Sequence, residues 1–369
     1  MINNAANGTG KRLESVIGTV YEPVPGWSYA HHAFITHFCG KFRAIWSNGT
    51  YTEDDFGQRV MMAESCDGEH WENIRPVMTP EMLGNRKAIL TAAGFYIHGN
   101  MLHVYYGYFS YARNALREDG GRPLADAGHE NTMLGVVSTA DCCAWSEPKK
   151  LGICMVANHG PQATASGRLI ISGNTVFPYT DNPNGTEDYR ITGIYGNAFT
   201  DTVVRDDSES IRYVSDFNGW KDRLICEGSF FQTDDCILHM MLRSNAGYLW
   251  CSESSDDGET WSVPFKTDFI NDGSKFHFGR LPDGRFYCVS NARLSGDRNP
   301  LELHIAQDGE NFHTYYVLRD EPYEMKFPDL RKGGLYGYPH TLIHEGYMYV
   351  IYSKRKEVIE VTKFNLEQL

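Results

Sequence analysis

The chain has 369 residues, a formal net charge of −13 and 13% aromatic residues. The acidic balance argues against nucleic acid and anionic membrane surfaces as partners, so a site for an acidic ligand must be built from a few placed cations. Abundant glycine and aromatics suit many short strands and tight turns, and no stretch is apolar enough to span a membrane.

In chain order, the N-terminal segment MINNAANGTGKRLES lacks an apolar core of signal-peptide length, which predicts a cytoplasmic protein, with a secreted protein already processed as the alternative. Nine scattered cysteines, several in apolar runs (Cys154, Cys226, Cys236, Cys251, Cys288), read as free thiols in a reducing compartment. The Asn-Gly-Thr triplets at Asn7, Asn48 and Asn184 read as ordinary turns, and Asp181–Asp188 reads as a solvated polar loop.

One unit then recurs: an apolar strand, a turn with Gly or Asp, and a second strand rich in aromatics. It appears as HHAFITHFCGKFRAIWS around Gly40 and as TAAGFYIHGNMLHVYYGYF around Gly99. It returns around Gly167, Asp235, Gly284 and Gly346, at intervals of 49 to 68 residues. That interval is the length of a four-stranded blade with its loops. The fourth copy ends in Ser254-Ser-Asp256-Asp-Gly258-Glu-Thr260-Trp261, which fits the Asp-box pattern Ser-x-Asp-x-Gly-x-Thr-Trp. Its side chains hydrogen-bond a tight turn, its glycine supplies positive φ, and its tryptophan packs beneath. Worn copies follow the other hairpins: Ser65–Trp71, one residue short; Asp141–Trp145, keeping little beyond the Trp; and Gln307–Phe312, with Phe in place of Trp. The last unit runs out at Val358–Phe364, and Ser15–Tyr21 can supply its missing strand. The reading is an all-β chain forming one β-propeller domain over residues 1–369, with six blades favoured and seven possible.

A propeller gathers the ends of its inner strands near its axis. Those ends carry His31, His32, Glu227, Arg243, Arg298 and Tyr338, polar residues that a core would not want. At these residues the chain resembles the sialidase superfamily over essentially its whole length. There a Glu precedes an Arg at the end of the next strand, as Glu227 precedes Arg243. A further Arg stands before a strand leading into an Asp box, as Arg298-Asn-Pro-Leu301 does. A nucleophilic Tyr opens the last blade, as Tyr338 does, and an acid/base Asp sits in Asp-x-Gly, as in Asp55-Phe-Gly57. The resemblance implies a tyrosine nucleophile activated by Glu227, Asp55 as acid, and Arg243 and Arg298 as carboxylate ligands. The first blade departs from it: His31-His32-Ala stands where the family has Arg-Ile-Pro, so one carboxylate-binding arginine is missing.

A second resemblance covers the N-terminal half best. Tyr29-Ala-His31-His32, Trp46-Ser-Asn48-Gly49, Glu53-Asp54-Asp55 and Gly57-Gln58-Arg59-Val60 are similar to propeller enzymes that cut α-L-rhamnosyl-glucuronate linkages, rhamnosidases and lyases alike. Asn158-His159-Gly160-Pro161 is similar too. This implies a catalytic His at the start of the first blade, and Trp46, Gln58 and His159 as pocket residues. In a regular strand His31 and His32 point to opposite faces, so one should reach the pocket and titrate near neutrality. The expected function is cleavage of a terminal bond in an acidic glycan, by hydrolysis or by β-elimination. An exo-α-sialidase and a non-catalytic glycan-binding propeller are the alternatives. No cofactor and no metal cluster is expected; His98 and His103 lie across a hairpin turn with no carboxylate in pattern. The expected partner is an acidic oligosaccharide, with neither nucleic acid nor membrane.

Overall fold

The computed structural model describes residues 1–4, 10–83, 86–111, 129–194, 225–329 and 331–369; the Asn7 triplet lies outside them. Among the described residues there is no α-helix, only a 3-10 turn at Leu366–Gln368. Among the described residues, six sheets of three to six strands follow one another, with one two-stranded ribbon at Met82–Leu83 and Arg86–Lys87. Their first strands are Tyr29–Phe38, Ile89–His98, His159–Ala163, Ile225–Gln232, His277–Arg280 and Tyr336–His344. Each of the six expected turns joins the first and second strands of one sheet.

The first strands pack on one another in sequence, and the sixth packs back on the first; between the third and fourth sheets the second strand Leu169–Ser172 carries the contact. The arrangement is propeller-like. Val16–Tyr21 pairs antiparallel with Val358–Asn365, Val361 facing Gly18, so the two ends of the chain share the sixth sheet. The missing strand is thus supplied from the N-terminal side, as expected, and the sheet loses a free edge.

Alternation decides how the sheets are held together. Each sheet is apolar on both faces, and six buried clusters fill the six spaces between neighbours. Phe34, Ile45 and Leu90 join the first sheet to the second; Tyr287, Leu303 and Tyr352 join the fifth to the sixth. Each fully buried side chain of this size contributes about 1.5–3 kcal/mol.

The Asp boxes lock the outer turns. In the complete copy, Gly258 N–H donates to Ser254 Oγ at 2.8 Å and Thr260 N–H to Asp256 Oδ1 at 2.9 Å. Gly258 sits at φ 86°, and Trp261 packs on Phe177 with ring centroids 5.0 Å apart. The copy that looks most worn is built the same way. Thr139 replaces the Ser, receiving Cys142 N–H at 2.9 Å, and Asp141 Oδ1 receives the N–H groups of Cys143 and Ala144 at 2.8 and 3.0 Å. Cys142 takes the glycine's position at φ 60°. The sequence disguised this box because both substitutions preserve the hydrogen bonds while changing the letters.

Two local expectations are corrected. Asn48 is a buried strand residue, not a turn: its Nδ2 donates to the Tyr29 carbonyl at 2.8 Å and its Oδ1 accepts from Arg59. Cys236 is exposed, at φ 67° in the fourth hairpin turn; all nine cysteines are free.

Candidate active site

The inner strands would be ordinary but for a repeated irregularity. Register shifts interrupt pairing at His31/Phe34, Ala92/Gly94, His159/Gln162, Cys226/Ser229 and Gly337/His340, so five of the six first strands bulge near the same end. A bulge adds an unpaired residue and re-aims its side chain. Three of these unpaired residues are His32, Glu227 and Tyr338, at φ 52°, 51° and 58°; Arg298 is at 52°. Left-handed backbone costs a non-glycine residue of order 1 kcal/mol or more and persists where surroundings enforce it, typically at functional sites. The bulges also need small neighbours. Gly94, at φ 116°, lies so close to the third inner strand that an added Cβ would stand 2.4 Å from Gly160 N.

Glu227 and Tyr338 meet although 111 residues separate them. The Tyr338 hydroxyl donates a short hydrogen bond to Glu227 Oε1, and Arg243 Nη1 reaches Glu227 Oε2 at 2.6 Å and the Tyr338 oxygen at 3.1 Å. Glu227 N–H is tied to Asn174 Oδ1 at 3.0 Å. Burial works to raise the Glu227 carboxyl, but Arg243 and the Tyr338 hydroxyl outweigh it and hold it below its usual range. Burial, and then the Glu227 charge, push the Tyr338 phenol well above its own. The resting site is therefore a neutral phenol donating to an ionised carboxylate.

His31 and His32 do not point to opposite faces. The bulge turns both toward Tyr338, their ring centroids lying 4.0 and 5.1 Å from the phenol ring and 4.6 Å from each other. His31 is fully buried beneath it, with Nδ1 2.6 Å from Ser353 Oγ. His32 lines a cavity of about 250 Å³ together with Glu53, Asp54, Asn158, Asn174, Glu227, Lys275 and Tyr338. Burial draws both imidazoles down, His32 to about 4 even with Glu53 pulling the other way. The expectation of a His titrating near neutrality is thus corrected: both are neutral at pH 7.

Asp55 is not on the cavity wall. Its Oδ2 caps a turn, accepting Tyr51 N–H at 3.0 Å and Thr52 N–H at 2.9 Å, while its neighbours Glu53 and Asp54 line the cavity. Burial works to raise Glu53, but Lys356, 2.7 Å away, and His32 bring it down to about 2. Gln58 is a buried brace: it accepts Asp54 N–H at 3.0 Å and donates to the Leu90 carbonyl at 2.9 Å. Trp46, expected at the pocket, is wholly buried between the first and sixth sheets against Tyr21. Arg243 is engaged by Glu227 and does not line the cavity. Arg298 lies 5.6 Å from the Tyr338 ring centroid and opens onto a neighbouring recess of about 360 Å³, shared with Glu53, Arg331 and Lys356.

Sequence reading missed two features. Lys275 precedes the fifth inner strand in the run Ser274-Lys275-Phe276-His277-Phe278; a lone cation among buried aromatics was the signal that could have found it. It is 3% exposed, donates to the Asn158 carbonyl, and sits 5.6 Å from the Tyr338 ring centroid. Burial lowers its ammonium to about 7 despite Glu227. The second feature is a set of three histidines from three inner strands. His159, expected in the pocket, joins His277 and His340 with ring nitrogens within 4.8 Å of one another, off the cavity wall. His159 Nε2 donates to the Phe276 carbonyl at 3.2 Å. Such a trio has the chemistry of an imidazole metal site. Here, however, the Thr341 amide occupies His277 Nδ1 at 3.1 Å, and Lys275 sets a positive charge beside all three rings.

Sheets arranged around a buried Tyr–Glu–Arg cluster, with Asp boxes on their outer turns, define a sialidase-like propeller. The chain belongs to the BNR repeat-like domain family, whose model matches residues 40–350. No curated protein sequence matches it. Among solved structures it is similar to a protein of unknown function from Dyadobacter fermentans, with TM-score 0.67 and 14% identity, covering 97% of this chain and 100% of that one. It is similar to the Trypanosoma rangeli sialidase in complex with sialic acid at TM-score 0.60 and 15% identity, over 99% of this chain and 60% of that one. The NanB sialidase from Streptococcus pneumoniae gives 0.61 and 11%, over 95% and 70%. The chain thus spans only part of the sialidases it matches, and at these identities the likeness is one of fold.

Proposed function

We propose that this protein is a glycosidase that removes a terminal sugar from an acidic glycan, and that its six sheets are six blades of one domain spanning residues 1–369. The observation that carries this reading is the contact of Tyr338 and Glu227, each at left-handed φ in a bulge, clamped by Arg243 beside a cavity. Strain in two residues that meet only in the folded chain is a cost without return unless the pair does chemistry.

In the proposed reaction the Tyr338 oxygen attacks the anomeric carbon while its proton passes to Glu227 Oε1. The phenol is held well above its usual range, so it loses its proton only as the bond forms. Arg243 then faces both the carboxyl and the aryl ether. A neutral nucleophile avoids repulsion with a substrate carboxylate next to the anomeric carbon. Asp54, on the cavity wall, takes the role of acid to the leaving oxygen that the sequence assigned to Asp55; Glu53, held to about 2, stays ionised. Water then releases the sugar from Tyr338 by the reverse path.

Sialyl and rhamnosyl-glucuronate ends are the two candidate substrates. His32 supports the second: an imidazole on the cavity wall, in van der Waals reach of Tyr338, stands where an arginine for a sialic acid carboxylate would be expected. A neutral imidazole also admits elimination, taking the proton α to a uronate carboxylate. Incubation with sialyllactose and with rhamnosyl-α-1,4-glucuronate distinguishes these readings. Free sialic acid marks a sialidase; free rhamnose is released by either reaction on the second glycan, beside intact glucuronate for a rhamnosidase and beside an absorbing unsaturated uronate for elimination. Binding of either glycan without turnover would refute the enzyme reading and leave a lectin.

A further inference from the structure

We propose that Lys275 is the residue that receives the substrate's carboxylate in the main cavity. The proposal rests on the acidic-glycan reading and deepens it.

Three cations surround Tyr338: Arg243, Arg298 and Lys275. Arg243 is committed to Glu227 at 2.6 Å. Arg298 spends its Nη2 on the Gly273 carbonyl at 3.2 Å and faces the neighbouring recess. Lys356 is committed to Glu53. Lys275 alone among these cations lines the cavity that also holds Glu227, Tyr338 and His32. The first inner strand brings two histidines to this place and no cation. The acidic groups on the same wall are already answered in part: Glu53 by Lys356 and Glu227 by Arg243. An ammonium held in the interior with no carboxylate in salt-bridge contact, Glu227 acting on it only from a distance, is expensive to keep, and a structural lysine would be better replaced by an apolar residue. Its ammonium donates to the neutral Asn158 carbonyl, which leaves further N–H donors for a ligand.

The pH behaviour follows from the surroundings. The titratable groups that face Lys275 are Glu227, Tyr338, His31 and His32, and the trio His159, His277 and His340. The histidines are all drawn below their ordinary value, Glu227 below its own and Tyr338 above its own, so of these groups only Lys275 changes charge near neutrality. Its pKa is lowered, so its attraction for a carboxylate is complete below pH 7 and fades as pH rises through 7. A bound carboxylate raises the ammonium's pKa, so above pH 7 binding takes up a proton.

The test compares an acidic glycan with its neutral counterpart: rhamnosyl-α-1,4-glucuronate and sialyllactose, each beside the same compound with its carboxyl reduced to the alcohol. The readout is the ratio of kcat/KM, or of Kd by calorimetry for the unprocessed member. A charge-assisted contact of this kind is worth about 10- to 100-fold. Wild type should prefer the acid by that factor at pH 6 and lose up to about tenfold of the preference per pH unit above 7. Lys275→Met should lose the preference while still binding the neutral compound, which shows that it is folded. Lys275→Arg, charged throughout, should keep the preference to pH 9. If wild type prefers the acid and Lys275→Met does too, Lys275 is not the carboxylate ligand, while the acidic-glycan reading stands. If wild type shows no preference, that reading falls and this one with it. Should Lys275→Met fail to fold, an acid preference that does not change between pH 6 and 9 in wild type overturns the proposal by itself.

Discussion

Removing the Arg243 guanidinium should expose how the site is held. Arg243→Met deletes the 2.6 Å contact to Glu227 and the 3.1 Å contact to Tyr338, and leaves a carboxylate that is 13% exposed with the phenol as its remaining hydrogen-bond donor. Breaking a buried pair from one side costs about 3–5 kcal/mol; the surviving phenol bond and the nearby Lys275 put the expectation at the lower end, about 3 kcal/mol. At about 2.1 cal/mol/K of unfolding entropy per residue, that is a fall in Tm of about 4 °C for a chain of this length. The sign with pH is specific. In wild type Glu227 is held low, so its contribution is present above the ordinary carboxylate range and lost as pH falls. Without Arg243 burial prevails, the carboxyl's pKa rises, and protonation relieves the unpaired charge. The deficit should therefore be largest at pH 8 and shrink toward pH 5. The charge-neutral double variant Arg243→Met/Glu227→Gln should be more stable at pH 8 than the sum of its parts, by about 2 kcal/mol. Thermal melts of the four proteins between pH 5 and 8 make the measurement. A deficit independent of pH, or strict additivity, would refute the ion pair as the element that holds the site.

Two further comparisons separate neighbours in sequence. His32→Ala should lower kcat by about 100-fold or more if the cavity imidazole moves a proton, whereas His31→Ala, which opens a void under Tyr338, should mainly lower Tm; equal losses of kcat with unchanged Tm in both would contradict this division. Asp54→Asn should lower kcat for substrates with poor leaving groups far more than for an activated aryl glycoside, while Asp55→Asn should loosen the turn at Tyr51 and Thr52 and cost about 1–2 kcal/mol of stability. The reverse pattern would return the acid role to Asp55.

The parts of the fold set by local chemistry were legible in the sequence. Six turns, the complete Asp box at Ser254–Trp261 and the closing strand Val16–Tyr21 follow from glycine, aspartate and alternation, all of which act within a few residues. The box at Thr139–Trp145 was hidden because Thr and Cys142 can fill the roles of Ser and Gly. The site was legible only as a set of strand ends. Glu227, Arg243 and Tyr338 meet as the resemblance implied, but the bulges that aim them cannot be read from letters. The same blindness misplaced His31 against His32. Which of Glu53, Asp54 and Asp55 faces the cavity depends on a single capped turn, and Trp46 reads as a pocket aromatic until the sixth sheet is laid over it. Lys275 escaped because its neighbours in sequence mark a core strand, while its neighbours in space belong to the first, fourth and sixth sheets.

The central claim is that Tyr338, activated by Glu227, breaks a glycosidic bond in an acidic glycan. Wild type and Tyr338→Phe should be incubated with sialyllactose and rhamnosyl-α-1,4-glucuronate and the released sugars followed by mass. The substitution removes one oxygen and leaves the ring that packs on His31 and His32. We predict turnover of at least one glycan by wild type and a fall of about 10⁴-fold or more in the variant, equivalent to about 5.5 kcal/mol of transition-state stabilisation. Turnover by Tyr338→Phe within tenfold of wild type would contradict the account.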